Sequence, residues 1–391
     1  MERTQPALTG LTVALVGFGS SSAVVVAGLT AAGASPGQAA SGLTILCITQ
    51  SIGMLVLSHR CRKPLALAWS TPGAALLLST GEVDGGWAAA VGAFLVTGTM
   101  ILLTALWPWL GRLVAAIPAP IAQAMLAGVV FSLCLTPAQA AVDDPLWIAP
   151  LILLWLVLFR WAAAWSTPVV FAVALLMVGW GMPWDQVEAT SMLPTLEATA
   201  PTLTLGAVLG LAVPLYLVTM ASQNVPGAAV ISSYGYTVPW RASLTVTGAG
   251  TVAGAALGGH AINLAAITAG LAASPEAHTD PKQRWKATAT AGWVYVGLAL
   301  GASALVVMAS HARPGMLETV AGLALLGTLG ASLHAATAQP EARIPAVATF
   351  LVAASGISAL GIGAAFWALL TGLVLQGFLS SDQSGSSQAR S

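Results

Sequence analysis

The chain has 391 residues, of which 57% are hydrophobic and only 7% charged, and 13 basic residues balance 13 acidic ones. With a mean hydropathy of +0.86, it is far from a soluble domain, which carries about 25% charged residues. The zero net charge gives no basis for nucleic-acid binding, and three scattered cysteines (Cys47, Cys61, Cys134) make neither a disulfide framework nor a zinc site.

Splitting the apolar runs at turn signals gives about fourteen segments. In chain order they fall near 9–32, 36–57, 65–79, 86–107, 115–135, 146–160, 165–182, 202–222, 240–257, 260–271, 287–309, 316–337, 344–357 and 361–378. The first, Leu8–Ala32, is too long for a signal peptide and has no cleavage site, so it is expected to be retained. The tail Ser380–Ser391 is polar and is expected to be disordered. With the N-terminus inside, every basic residue except Arg313 falls on the cytoplasmic face, and the acidic residues Glu82, Asp84, Asp143, Asp144, Asp185, Glu188 and Glu197 collect opposite. That bias predicts an even number of spans with both termini cytoplasmic.

An internal repeat accompanies this order. Offset by 200 residues, Gly10–Val25 lies over Gly210–Val225, with matches at Gly10/Gly210, Leu11/Leu211, Val13/Val213, Leu15/Leu215, Ser22/Ser222 and Val25/Val225. Two segments after each copy comes a short, interrupted one: Leu65–Ser79, broken at Thr71-Pro72-Gly73, and Gly258–Gly270. Seven segments per half would invert the second half relative to the first, and paired broken segments in inverted repeats point to a transporter's binding site.

Each broken segment is expected to begin extended and then turn into a helix. Pro72 disfavours helix for the residue before it and suits the first helical position, so Ala66–Ser70 should be extended. Gly258 and Gly259 permit unusual backbone angles, with the second helix starting near Asn263 or Leu264. Two helix N-termini would then face each other near mid-membrane and attract a small anion, a carboxylate above all. Ser222, Gln223 and Asn224 before Pro226-Gly227 form the densest polar patch in an apolar span and suit a lined cavity, with interhelical hydrogen bonding as the alternative. Ser20 lies in the matching first-half span. His260 is the single histidine in the expected binding centre and suits a proton carrier, or else ties two segments together. Trp69 offers a flat face to an aromatic ligand, or packs; Ser70 and Thr71 add hydroxyls.

The stretches MASQNVPG, GGHAINLAAITAG, AWSTPGAALL and IPAPIAQAMLAGVVF (Ile117–Phe131) resemble the benzoate:proton symporter family, BenE, over essentially the whole chain. That family is similar to nucleobase permeases and sulfate-type anion carriers. The resemblance implies an all-α membrane fold of 14 segments in two inverted sevens. It further implies a core domain from 1–113 and 201–312, a gate domain from 114–200 and 313–380, and a tail at 381–391. By motif, Gln223 and His260 take the places of two acidic residues of nucleobase permeases, and Trp69 matches an aromatic beside the substrate. Losing both acids suits an anion better than a neutral base.

The expected function is therefore import of benzoate or a related aromatic carboxylate by proton symport across a bacterial cytoplasmic membrane. Substrate contacts are expected from Ser20, Trp69, Ser70, Thr71, Ser222, Gln223, Asn224, Gly259, His260, Ala261 and Asn263, with His260 coupling the proton. No cofactor or metal is expected, and a homodimer is compatible with the sequence. The alternatives are a nucleobase or inorganic-anion permease and, from another class, a membrane-embedded enzyme or receptor, for which no catalytic motif is present.

Overall fold

The computed structural model describes residues 4–107, 109, 117–185, 187–266 and 268–388. The expected 113/114 domain boundary, the start of the fifth segment, and Arg3, Arg112 and Arg390 lie outside the described residues. The first half runs α1 (Gln5–Ala31), α2 (Pro36–Cys61), β1 (Leu67–Trp69), α3 (Thr71–Thr80), α4 (Gly86–Leu106), α5 (Ala119–Asp143), α6 (Pro145–Trp161) and α7 (Ala163–Gly181). The second repeats that order with α8 (Leu205–Ser233), α9 (Trp240–Ala255), β2 (Ile262–Leu264), α10 (Thr268–Ala273), α11 (Trp285–Leu300), α12 (Ala302–Ser310), α13 (Met316–Thr337), α14 (Arg343–Ala354) and α15 (Ala364–Gln388). Among the described residues, 7 helices are long and apolar enough to cross a membrane, or 8 if the bent α11–α12 pair counts as one span.

Local chemistry explains several helix starts. Pro6 and Pro36 sit in the first turns of α1 and α2, where a missing N–H matters least. Ser35 and Gln38 close a capping box on α2. The expected breaks between segments six and seven, and between thirteen and fourteen, are present at Ala162 and across residues 355–363.

Three expectations need correction. The eighth segment does not stop near residue 222 or break at Pro226-Gly227; α8 continues to Ser233. It does so through two π turns, Val208–Ala212 and Met220–Asn224, each followed within two residues by a proline. Pro214 and Pro226 have no N–H to donate and crowd the preceding turn, and one wider turn relieves both faults without ending the helix. The eleventh segment is not one straight helix: α11 and α12 meet at Gly301 with a 49° bend. The last helix continues through residues 381–388 of the expected disordered tail. Polarity removes the reason to bury that stretch, yet a helix already nucleated upstream propagates into it.

Two groupings of helices emerge from the packing. α1 packs on α3 and α11, α2 on α9 and α11, and α4 on α9, while α5 lies against α13 and α14 with α15 beside α14. They meet where α1 touches α7 and α13 and where α3 touches α5. On the second grouping, Arg313 donates to the Asp144 carboxylate at 2.9 Å and lies 4.6 Å from the Trp147 ring centroid.

Candidate substrate site

The two broken segments cross as an antiparallel pair, with Leu67 opposite Leu264, Ala68 opposite Asn263 and Trp69 opposite Ile262. The pairing extends past both strands: Ser70 N–H donates to Ala261 C=O at 3.0 Å, and Ala265 N–H to Ala66 C=O at 2.9 Å. Extended backbone survives in a membrane protein only where its polar groups find protein partners, and here each segment supplies the other's. Gly258 adopts φ +88, and a Cβ there would stand 3.1 Å from the Gly42 Cα, so glycine lets the chain turn into β2 against α2.

The first segment follows its sequence expectation, with β1 running to Trp69 and α3 beginning at Thr71. The second does not: α10 starts at Thr268, not near Asn263 or Leu264. Strand pairing occupies Ile262–Leu264, and two distant side chains hold it extended. Thr251 Oγ1 accepts from Ile262 N–H at 3.1 Å, and Asn224 Oδ1 accepts from Leu264 N–H at 2.9 Å. Gly227, one turn beyond Asn224, admits β2 closely; a Cβ there would lie 2.7 Å from Ala265 O.

Ser70 is the hub of the crossing. Its Oγ caps α3 by accepting from Gly73 N–H at 3.1 Å and also accepts from Thr219 Oγ1 at 2.9 Å. Its carbonyl accepts from Ala74 N–H at 2.8 Å and from His260 Nε2 at 3.0 Å. Asn263 is best satisfied with its amide turned so that Oδ1 accepts from Ser70 N–H at 3.0 Å and its NH2 donates to Leu264 C=O at 2.8 Å. Because Pro72 has no N–H and Gly73 and Ala74 are occupied, Thr71 keeps the one N–H of the first turn of α3 that has no partner among the described residues.

The expected site residues therefore divide in two. Trp69, Ser70, Asn224, Gly259, His260, Ala261 and Asn263 are buried, whereas Ser20, Thr71, Ser222 and Gln223 are partly exposed. Trp69 is only 1% exposed; its Nε1 donates to Ser21 Oγ at 2.8 Å, and Phe18 and Tyr295 meet it edge-on at 5.8 and 6.0 Å. These side chains enclose its ring in this conformation. His260 is fully buried, with Phe94 edge-on at 6.3 Å and Nδ1 without a partner among the described residues. Donating Nε2–H to a carbonyl leaves Nδ1 as a bare acceptor in the neutral ring. Ser222 Oγ bonds back to Val218 C=O, and Ser20 Oγ to Gly17 C=O at 3.3 Å. Thr71 and Gln223 make no side-chain hydrogen bond with the described residues, and they carry the free donors of the crossing.

Sequence reasoning missed Phe18, Ser21, Thr219 and Tyr295. Ser21 and Thr219 had a signal, in the GFGSSS run and one turn before Gln223; Tyr295, on α11, had none.

Residues 3–378 match the family described as benzoate membrane transport protein, BenE. The chain belongs to that family. Among similar proteins, the inner membrane protein YdcO of Escherichia coli is 36% identical over 368 residues, covering 93% of each chain. The benzoate membrane transport protein of Acinetobacter baylyi is 28% identical, over 85% of this chain and 84% of that one. Solved structures share the fold at low identity. The transmembrane domain of the cyanobacterial bicarbonate transporter BicA superposes with a TM-score of 0.54 at 15% identity, covering 97% of this chain and 98% of that one. Murine Slc26a9, an anion transporter in its inward-facing state, gives 0.63 at 12% identity over 97% and 68%. This BenE chain is thus a multi-pass membrane transporter with the core-and-gate fold of those anion carriers, and not an enzyme.

Proposed function

We propose that the chain imports benzoate or a closely related aromatic carboxylate together with a proton, across a bacterial inner membrane with both termini cytoplasmic. The observation that carries this reading is a pair of polar side chains with no hydrogen-bond partner among the described residues: Thr71 in the first turn of α3, and Gln223 on the π turn of α8 that packs against β2. Thr71 offers a carboxylate an N–H and a hydroxyl at the positive end of a ten-residue helix, and Gln223 adds an amide NH2 from the β2 side. Phe18, partly exposed and already edge-on to Trp69, supplies an apolar wall for an aromatic ring. Sequence similarity to the Acinetobacter benzoate membrane transport protein supports benzoate as the first substrate to try.

His260 carries the proton in this reading. Among the described residues, only it and Arg284 are buried members of the Asp, Glu, Lys, Arg and His set, and Arg284 lies outside the crossing. A proton on Nδ1 gains an acceptor when a carboxylate arrives, so proton and substrate binding favour each other by linkage. The core, residues 1–113 and 201–312, then moves against the gate, residues 114–200 and 313–380, with Pro118 and Pro120 near the sliding boundary; a dimer through the gate is compatible with this motion. Uptake of labelled benzoate into proteoliposomes, with and without an imposed proton gradient, tests the reading. Gradient-driven accumulation blocked by excess benzoate but not by uracil, bicarbonate or sulfate is the expected result. Accumulation of any of those three in place of benzoate refutes it.

A further inference from the structure

A second polar feature lies away from the crossing, at the end of the core where α2 finishes and α11 begins. A cavity of about 590 Å³ is lined there by Cys61, Arg62, Lys63, Tyr236, Pro281, Lys282, Gln283, Trp285 and Lys286. Four of those residues are cationic and none is acidic. The nearest carboxylate in sequence, Asp280, accepts from the Lys282 backbone N–H at 2.9 Å.

The walls are built. Lys63 Nζ donates to Thr237 O and Oγ1 at 2.6 and 2.7 Å, pinning the α2–β1 connection to the chain after α8. Tyr236 OH donates to Pro281 C=O at 2.8 Å, joining that same stretch to the turn before α11. Arg62 adopts φ 52, a left-handed backbone rare outside glycine, and its guanidinium carbon stands 4.3 Å from the Trp285 ring centroid. His59 meets the same ring edge-on at 5.3 Å. Trp285 and Lys286 open the first turn of the 16-residue α11, whose positive end adds to the field. Arg284, buried behind the cavity, donates its Nε and Nη1 to the His278 and Ala273 carbonyls, and its charge acts on Tyr236.

The side-chain donors of Arg62, Lys282 and Lys286 have no hydrogen-bond or ion-pair partner among the described residues. Like charges gathered without a counter-charge repel unless an anion joins them. A monocarboxylate would neutralise one of four. A phosphate group, with its charge spread over several oxygens, matches an Arg fork and two or three ammonium groups at once. We propose that this pocket is a phosphate-binding site at the membrane surface, filled by the headgroup of an anionic phospholipid or by free phosphate. Its place at the end of a spanning helix, on the basic-rich face, suits the lipid source.

The test uses the full chain, purified in neutral detergent and delipidated. Phosphatidylglycerol and phosphatidylcholine are compared by native mass spectrometry, and inorganic phosphate by calorimetric titration. Binding of phosphatidylglycerol alone assigns the lipid, and binding of phosphate alone assigns the free ion. Either should weaken with added salt. The triple variant Arg62→Gln/Lys282→Gln/Lys286→Gln should bind at least about tenfold more weakly. If the triple variant elutes as aggregate, the exposed single variant Lys286→Gln decides, with an expected loss of about fivefold. Neither probe binding, unchanged affinity in the variants, or benzoate displacing the anion on equal terms would overturn the proposal. None of these outcomes bears on the strand crossing, so benzoate uptake stands or falls separately.

Discussion

The two strand-and-helix units occupy matching places in the two halves, yet they are held by different means. β1–α3 is secured largely from within: Pro72 sets the first turn, and Ser70 caps it, with Gly73 and Ala74 donating to its side chain and carbonyl. β2–α10 is secured from outside, by Thr251 on α9 and Asn224 on α8. The first therefore ends in a ten-residue helix and the second in a six-residue one. Self-contained capping leaves the Thr71 side chain without a hydrogen-bond partner among the described residues, while in the second unit His260 Nε2 and Asn263 hold backbone and only His260 Nδ1 stays bare. The first unit keeps free donors, and the second braces it while keeping one bare acceptor.

The sharpest way to break that comparison is to remove the one titratable group of the bracing unit. His260→Gln keeps a donor for Ser70 C=O but cannot take up a proton. Concentration of benzoate against its gradient should be abolished, while exchange of internal for external benzoate survives. Proteoliposome assays of both modes give the answer. If accumulation persisted with normal pH dependence, His260 would be structural only, and Glu318 in the first turn of α13 would be the next residue to replace.

Effects on stability come next. Trp69→Ala would empty a site walled by Phe18 and Tyr295 and should lower stability by roughly 3–5 kcal/mol. Trp69→Phe should cost about 1 kcal/mol through the lost bond to Ser21, with benzoate affinity nearly unchanged, since the ring is enclosed by Phe18, Ser21 and Tyr295. A large affinity loss in the phenylalanine variant, measured by equilibrium binding, would instead put Trp69 against the substrate. Ser70→Ala removes the α3 cap and strands the Thr219 hydroxyl, for an expected loss of about 1–2 kcal/mol in thermal or denaturant unfolding. If Ser70→Ala unfolded no earlier than the native chain, the self-capped picture of the first unit would fail.

What the sequence made legible follows the same division. The first unit was readable to within a residue because its signals, Pro72 and Ser70, act on their immediate neighbours. The second was misread by several residues, because Asn224 and Thr251 lie far away in sequence and nothing local says that Leu264 is still extended. The continuation of α8 past Pro226 was hidden for a related reason: a proline announces a fault in the helix ladder but not whether a π turn will absorb it. The polar patch at Ser222–Asn224 was visible, but its three members separate, with Ser222 bonded to its own helix, Asn224 holding β2 and Gln223 left free. Side-chain direction within a π turn depends on that added residue, which composition and spacing do not reveal.

Gln223 gives the smallest expected effect and the finest test of which unit meets the substrate. Its side chain has no hydrogen-bond partner among the described residues, so Gln223→Ala should leave the unfolding transition within about 0.5 kcal/mol of the native one. Losing one neutral hydrogen bond to a carboxylate should weaken benzoate binding by about 1–2 kcal/mol, or roughly five- to thirtyfold. Gln223→Glu is nearly the same size but replaces the NH2 donor with a second negative charge, and repulsion should weaken binding further, most at low salt. The order native, Ala, Glu in affinity, with three matching unfolding curves, is the outcome that places Gln223 against the carboxylate. Equal affinities in all three would move the ligand off this face of α8 and leave Thr71 without its partner. A drop in stability paralleling the drop in affinity would show that Gln223 braces the fold, as Asn224 does.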